Sequence, residues 1–254
     1  MKTEWDYSEV AKSYIDRPEY SHSAIEALCG IAKITNLSKI CDVGAGVAHL
    51  TLQLAKNGAG AKAGIIAIEP NDEMRKLGRD RTKEFQFIKW YEGTGEKTGQ
   101  AEDQFDIVTF GSSFNVTDRD LAIKESIRIA KKKAWFACMW NHRDLSDIHQ
   151  LNIEKIIKNS IPGYDYGSRR ESQHDFLLSS GAFEDVLTIK GDALHNQTIE
   201  SCITAWQSHV TLKRQAGTEF KNIIGEISCY LNSLHVKNIA IPYRTKIYMG
   251  RISK

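Results

Sequence analysis

At 254 residues, 41% hydrophobic and 26% charged, the chain has material for one α/β core with a small appended cap, not for a string of domains. A formal net charge of +2 gives no electrostatic footprint for long nucleic acid, though it leaves room for local basic clusters, and no apolar run reaches the roughly 20 residues of a membrane span. Five cysteines, odd in number and in no C-x-x-C pair, point away from a zinc site and from a disulfide framework. Cys29, Cys41, Cys138, Cys202 and Cys229 are expected as small buried apolar residues. The opening Met-Lys-Thr-Glu-Trp-Asp lacks the apolar core of a signal peptide, so a cytoplasmic protein is expected.

In chain order, Trp5 to Tyr20 mixes aromatic and charged residues. Two readings stay open: a helix clamped to the core by its aromatics, or a lid over a ligand with Arg17 or the tyrosines reaching a carboxylate. Ser21 to Ala32 has the spacing of an amphipathic helix, with Ala24, Ile25, Ala27, Leu28 and Ile31 on its buried side. Lys39 to Ala55 then reads as strand, tight turn and helix. Ile40, Cys41 and Val43 are β-formers, Gly44 and Gly46 break the run, and Leu50, Leu52, Leu54 and Ala55 resume with helical spacing. Such a turn aims backbone N–H groups at a ligand and removes the side chains that would hold it off. A nucleoside-containing cofactor is the expected occupant. Residues 58–64 form a glycine and alanine linker into Ile65-Ile66-Ala67-Ile68, a fully apolar strand suited to a parallel sheet. Glu69 at its carboxyl end, some twenty residues past the glycines, is placed to accept from both hydroxyls of a ribose. Met74, a helical turn further on, is positioned to lie against a flat base.

The pattern Asp42-x-Gly44-x-Gly46 followed by Glu69-Pro70 resembles the class I S-adenosylmethionine-dependent methyltransferases. Nicotinamide dehydrogenases share the strand-turn-helix but use G-x-G-x-x-G, and the last position here is His49. Later landmarks are similar to the same superfamily. Phe87 to Trp90 reads as a third strand, and Gly93-Thr94-Gly95-Glu96 resembles the segment bordering the adenine. Gln104 to Phe110 resembles the fourth strand, closed by Gly111, Ser112 and Ser113, and a helix with Glu125 three residues before Arg128 precedes a fifth strand from Ala134 to Trp140. The resemblance implies an α/β, doubly wound, seven-stranded Rossmann-like sheet in a single domain over residues 1–254. It also implies an N-terminal helical lid in residues 1–34 and helical cap insertions at 145–180 and 195–236. The implied cofactor is S-adenosyl-L-methionine, leaving S-adenosyl-L-homocysteine. Its expected contacts are Tyr14, Arg17, Asp42, Gly44, Ala45, Gly46, Glu69, Pro70, Met74, Thr94, Gly95, Glu96, Phe110, Gly111 and Ser112, with Asp42 orienting the methionyl end.

Within the superfamily, the chain is similar to small-molecule methyltransferases of the trans-aconitate methyltransferase-like, type 11 group. Tyr14, Arg17, Pro18 and Tyr20 echo its Tyr-x-x-x-Arg-Pro-x-Tyr with one residue fewer, and Trp140-Asn141-His142-Arg143 matches its Trp-Asn-x-Arg. Phe114-Asn115-Val116 replaces its Phe-His-Trp, and Gly111-Ser112-Ser113-Phe114 departs from the Asn/Asp-Pro-Pro-Tyr/Phe of enzymes that methylate base amines. Beyond residue 145, Phe183 to Ile189 reads as a sixth strand, Thr198 to Leu234 as a long helical stretch, and Ile239 to Ile252 as a last strand interrupted by Pro242. Arg169, Arg170, His209 and Arg214 form a candidate cationic wall for a carboxylate or phosphate. Tyr7, Asn115, Trp140, Asn141, Arg143 and Tyr166 are the further acceptor candidates, and His142 and His209 the candidate bases. The implied activity is in-line methyl transfer to an O or N of a small polar or anionic molecule, by a monomer or homodimer that uses no metal. A nicotinamide-dependent oxidoreductase and a non-catalytic cofactor-binding protein remain the alternatives.

Overall fold

The computed structural model describes residues 14–166 and 170–254. Tyr7 and Arg169 therefore lie outside the described residues. Two short strands, β1 (Ile40–Val43) and β2 (Ile65–Ile68), are buried at every position, as the unbroken apolar run of β2 requires of a strand covered on both faces, while β1 buries Asp42 among apolar residues. They pair in parallel with each other, and with β3 (Ile88–Tyr91) and β4 (Phe105–Gly111) on either side. β5 (Ala130–Arg143) continues the parallel run, and β6 (Phe183–Thr198) and β7 (Asn238–Ile252) close it with antiparallel pairing. The order β3-β2-β1-β4-β5-β7-β6 reverses direction at β1. In such sheets the crevice beyond the carboxyl ends at that reversal is where ligands bind.

α1 (His22–Ile31) lies on the sheet with Ala24, Ile25 and Leu28 buried. It approaches β6 so closely that a Cβ at Gly191 would sit 2.5 Å from the Ser21 hydroxyl. Ile31, expected on the buried side, is 41% exposed, because the helix ends there and Ala32 takes the inward position before the left-handed turn at Lys33. Between strands run α2 (His49–Lys56), α3 (Asp72–Thr82) and α4 (Arg119–Ile129). α3 and α4 are capped by Asn71 and Asp118, which accept from the Met74 and Leu121 amides at 3.0 and 3.1 Å. α5 (Ile148–Ser160) and α6 (His174–Ser179) fall between β5 and β6. α7 (Ile199–Gln207), α8 (Val210–Ala216) and α9 (Phe220–Ser233) fall between β6 and β7. The long helical stretch is thus three helices, broken at Ser208-His209 and Gly217. Ile153, Ile157, Trp206, Leu212, Ile223 and Ile227 pack together in an apolar cluster of their own, apart from those of the sheet.

β6 runs past the expected end at Ile189 to Thr198, so residues 195–198, expected in the cap, belong to a strand. Lys190 to Thr198 has no apolar alternation, and pairing with β7 as far as Thr198 opposite Asn238 sustains the strand instead. Cys41, Cys138 and Cys202 are buried as expected, whereas Cys29 is half-buried and Cys229 on α9 is exposed. No helix among the described residues is long and apolar enough to cross a membrane.

Gly78 shows how packing overrides propensity. In an exposed helix interior, Gly→Ala gains about 1 kcal/mol, but a Cβ here would meet the Trp90 ring at 2.6 Å. That indole is held by its Nε1–H donating to Thr82 Oγ1 at 3.0 Å, which in turn donates to the Gly78 carbonyl. Gly78→Ala is expected to destabilise the fold by about 1 to 3 kcal/mol in urea denaturation, through overpacking; a gain in stability would contradict this packing.

Candidate functional site

A cavity of about 710 Å³ opens at the carboxyl ends of β1, β2, β4 and β5. Its sheet side is built from strand ends whose positions the pairing sets. After Val43 the chain turns through Gly44 (φ +65°) and Gly46 (φ +55°), then through Ala48 (φ +74°) into α2. Gly44 is required twice over: its φ is left-handed, and a Cβ would stand 2.7 Å from Ser113 Oγ, which donates to the Val43 carbonyl at 2.6 Å. Nothing but Met74 Sδ, at 3.7 Å, would meet a Cβ on Gly46, so that glycine leaves open cavity beside it.

Glu69 caps this turn. Its Oε2 accepts from the Gly46 amide and its Oε1 from the Asn71 amide, both at 2.9 Å, so one carboxylate ties the β1 loop to the β2 loop. Each oxygen keeps a further lone pair for a ligand. Burial pushes the Glu69 carboxyl up, and the two amides work against that. Met74, 4% exposed, packs on Val47 and lines the cavity. Thr94, Gly95 and Glu96 border it next. Their loop is pinned by Glu125 Oε1, which accepts from the Thr98 amide at 2.9 Å while the Arg128 guanidinium grips the same carboxylate at 2.7 and 2.8 Å. Glu96 itself accepts from the Asp118 amide at 2.7 Å. Phe110, fully buried, forms the floor, and Ser112 (φ +60°) is held strained, its amide donating to Met139 O and its hydroxyl paired with Tyr20.

Ala45, Pro70 and Gly111 also line the cavity, as do Tyr14 and Arg17, whose guanidinium sits 3.6 Å over the Tyr14 ring. Asp42, expected to orient the methionyl end through the loop, also lines the cavity. It is fully buried and its carboxylate faces inward, accepting from Thr51 Oγ1 at 2.6 Å and Thr109 Oγ1 at 2.9 Å. It braces the loop from below instead of presenting a charge to a ligand.

The acceptor candidates divide. Asn115, Asn141, His142, Arg143, Tyr166, Arg170 and His209 line the cavity. Trp140 does not: it is fully buried in the sheet core, its Nε1–H donating to Asn115 Oδ1 at 2.8 Å. Asn141 faces the cavity edge but its amide is engaged, donating to the Pro18 and Glu19 carbonyls and accepting from Thr245. Arg214 is on the exposed side of α8, away from the cavity, because Leu212 and Ala216 are the buried face of that short helix. His209 caps α8: its Nδ1 accepts from the Leu212 amide at 3.1 Å, so the neutral ring carries its proton on Nε2 and offers a donor, not a base. Gln150, Glu154, Trp206 and Tyr243 also line the cavity without having been candidates; the first three have the helical spacing of packing residues on α5 and α7, and Tyr243 reads as an ordinary residue of the last strand.

This fold and glycine turn define a class of protein. Residues 41–138 match the family described as "Methyltransferase domain". The chain is 29% identical over 143 residues to the ubiquinone/menaquinone biosynthesis C-methyltransferase UbiE of Idiomarina loihiensis, covering 50% of this chain and 57% of that one. It is 30% identical over 126 residues to the demethylmenaquinone methyltransferase of Staphylococcus carnosus, covering 49% and 52%. The chain thus spans about half the length of these curated relatives. A putative Type II methyltransferase from Anaeromyxobacter dehalogenans shares the fold at 14% identity, with a TM-score of 0.68 over 92% of this chain and 97% of that one. The match to that family is confined to residues 41–138 of this chain, which hold the glycine turn and Glu69.

Two buried groups at the turn titrate in opposite senses. Burial raises the Asp42 carboxyl from 3.8 to about 6, so its contribution to stability is full below pH 3.8 and lost as pH rises through 6. Burial lowers the His49 ring, whose Nε2–H donates to Tyr14 O, from 6.5 to about 4, so its contribution is present above pH 6.5 and lost as pH falls through 4. Each amounts to something on the order of 3 kcal/mol, so the two slopes largely cancel. Relative to the parent chain, Asp42→Asn should gain stability as pH rises from 4 to 7, and His49→Phe should gain it as pH falls over the same range. Denaturant titrations at several pH values test this; three parallel curves would remove both assignments.

Proposed function

We propose that this chain is an S-adenosylmethionine-dependent methyltransferase that transfers a methyl group by in-line displacement to an O or N of a small polar or anionic molecule. The observation that carries the reading is Glu69, joined to the glycine turn by its own hydrogen bond and left with lone pairs facing the cavity. The residues fit the cofactor: a carboxylate for the ribose hydroxyls, Met74 for the base, and the open space beside Gly46 for the methionyl end. S-adenosylmethionine supplies a sulfonium methyl that is already activated, and S-adenosylhomocysteine is the product.

The chain's own work is then alignment and exclusion of water. Positioning can lower a barrier by up to ~7 to 11 kcal/mol when the reacting atoms are held ~3 to 3.5 Å apart. The aromatic and arginine wall under the cap would hold the acceptor against the sheet side. An acceptor protonated at neutral pH needs a base, and with His209 committed as a donor that part falls to His142 at the end of β5. The curated relatives are named for quinone biosynthesis and C-methylation. The family match ends at residue 138, before the cap, so the acceptor is read from this chain's own cap residues.

Calorimetric titration with S-adenosylmethionine, S-adenosylhomocysteine and NAD(H) in parallel tests the cofactor. Binding of the first two alone is the expected result, and binding of NAD(H) alone would overturn it. Glu69→Ala should weaken S-adenosylhomocysteine by about 1 to 3 kcal/mol through the lost ribose hydrogen bonds; unchanged affinity would remove this pose.

A further inference from the structure

The cap side of the cavity carries an imbalance of hydrogen-bonding groups. Gln150 on α5 and Trp206 on α7 are each 2% exposed and both line the cavity. Gln150 Nε2 and Trp206 Nε1 are buried, and neither has an acceptor among the described residues. Native interiors seldom leave such donors unpaired, because each forfeits its water without a replacement. Both come from helices otherwise well packed, so the simplest account is a partner that arrives from outside.

The neighbouring groups say what that partner is. The Arg143 guanidinium lies 4.1 Å over the Trp206 ring, and the Arg170 guanidinium lies 4.2 Å over Tyr166 while donating to the Arg143 carbonyl at 3.2 Å. The rings hold both forks by their faces and fix their planes. Two cations and two orphan N–H donors on one wall call for an anion that only accepts. Glu154 lines the same wall, with Lys158 at 2.9 Å, and its charge opposes a dianion more than a monoanion. Tyr243 supplies ring surface beside the charges, the Trp206 ring being covered by Arg143 and stacked on His209 at 5.3 Å and the Tyr166 ring covered by Arg170.

We propose that this wall is a subsite for a planar monocarboxylate, gripped by Arg143 and Arg170 and completed by the Gln150 and Trp206 N–H groups. Calling that ligand the methyl acceptor rests on the methyltransferase reading; the subsite itself does not. The carboxylate is therefore the anchoring group, and its recognition is measurable without turnover.

The test is calorimetric titration of the full chain, with and without saturating S-adenosylhomocysteine, using benzoate, benzamide and phenyl phosphate as probes. Benzoate should bind about tenfold more tightly than its uncharged isostere, the difference made by one charge-assisted hydrogen bond, and more tightly than the dianion. Arg143→Met should abolish the preference of benzoate over benzamide. Gln150→Leu, which fills the same space without a donor, should weaken benzoate about tenfold, weaken benzamide, whose carbonyl accepts from the same N–H, by less, and leave S-adenosylhomocysteine affinity unchanged. Equal binding of benzoate and benzamide, no binding of either at millimolar concentration, or a preference for phenyl phosphate would each overturn the subsite. A benzoate preference in a chain that does not bind S-adenosylhomocysteine would uphold the subsite and sink the methyltransferase reading instead.

Discussion

The site depends on a buried carboxylate whose hydrogen bonds are made inside the core. Asp42, next to last in β1, is fully buried, and its two oxygens accept from hydroxyls of α2 and β4. Ionising a carboxyl there is costly, which is why burial lifts it to about 6. The two threonine hydroxyls offset part of that and fix how far α2 and β4 stand from β1. They thereby set the width of the crevice where the sheet reverses. With the side chain turned inward, the surface that remains for a ligand is the backbone of Gly44 to Gly46, and Glu69 clamps that backbone to the next strand end.

The segment before α1 is anchored in the same way, by polar groups of the core. Gln53 exchanges two hydrogen bonds with the Tyr20 backbone, at 3.1 and 2.7 Å, the Asn141 amide donates to Pro18 and Glu19, and Thr245 accepts from the Ser21 amide at 2.7 Å. These bonds join α2, β5 and β7 to one short stretch of chain. Residues 18–21 are fastened to the core, and Tyr14 and Arg17 line the cavity; the rest of the stretch from Trp5, over which the clamp and lid readings differ, lies outside the described residues.

Legibility in the sequence follows the range of the forces involved. Gly44, Gly46 and Glu69 were readable because a strand end followed by a turn is determined locally and the parallel register places each end at the same level. The cap wall was readable only in part: Arg143, Tyr166 and Arg170 were candidates, whereas Gln150 and Trp206 were not. Trp140 and Trp206 are both indoles in apolar surroundings, yet one donates to Asn115 inside the sheet core and the other lines the cavity. Arg143 and Arg214 differ likewise, since the side of α8 that faces inward is chosen by Leu212 packing against α9 and its neighbours, a tertiary choice. The extension of β6 was hidden for a related reason. Its polar residues report an edge strand exposed on alternate positions, and only its partner β7 makes it a strand.

The cavity lies between two apolar cores, and this division has an energetic consequence. The sheet core is continuous with the strand ends that shape the cofactor side, whereas α5, α7, α8 and α9 close around a cluster of their own. Substitutions in the cap wall can therefore alter what is accepted without disturbing Glu69 or the glycine turn. Burying the Gln150 and Trp206 donors without partners makes that wall less stable than its packing alone would allow. A ligand that satisfies them stabilises the wall as it binds, by mass action on the folded form. The same two donors that weaken the wall while unpaired are therefore the ones through which a bound anion would strengthen it.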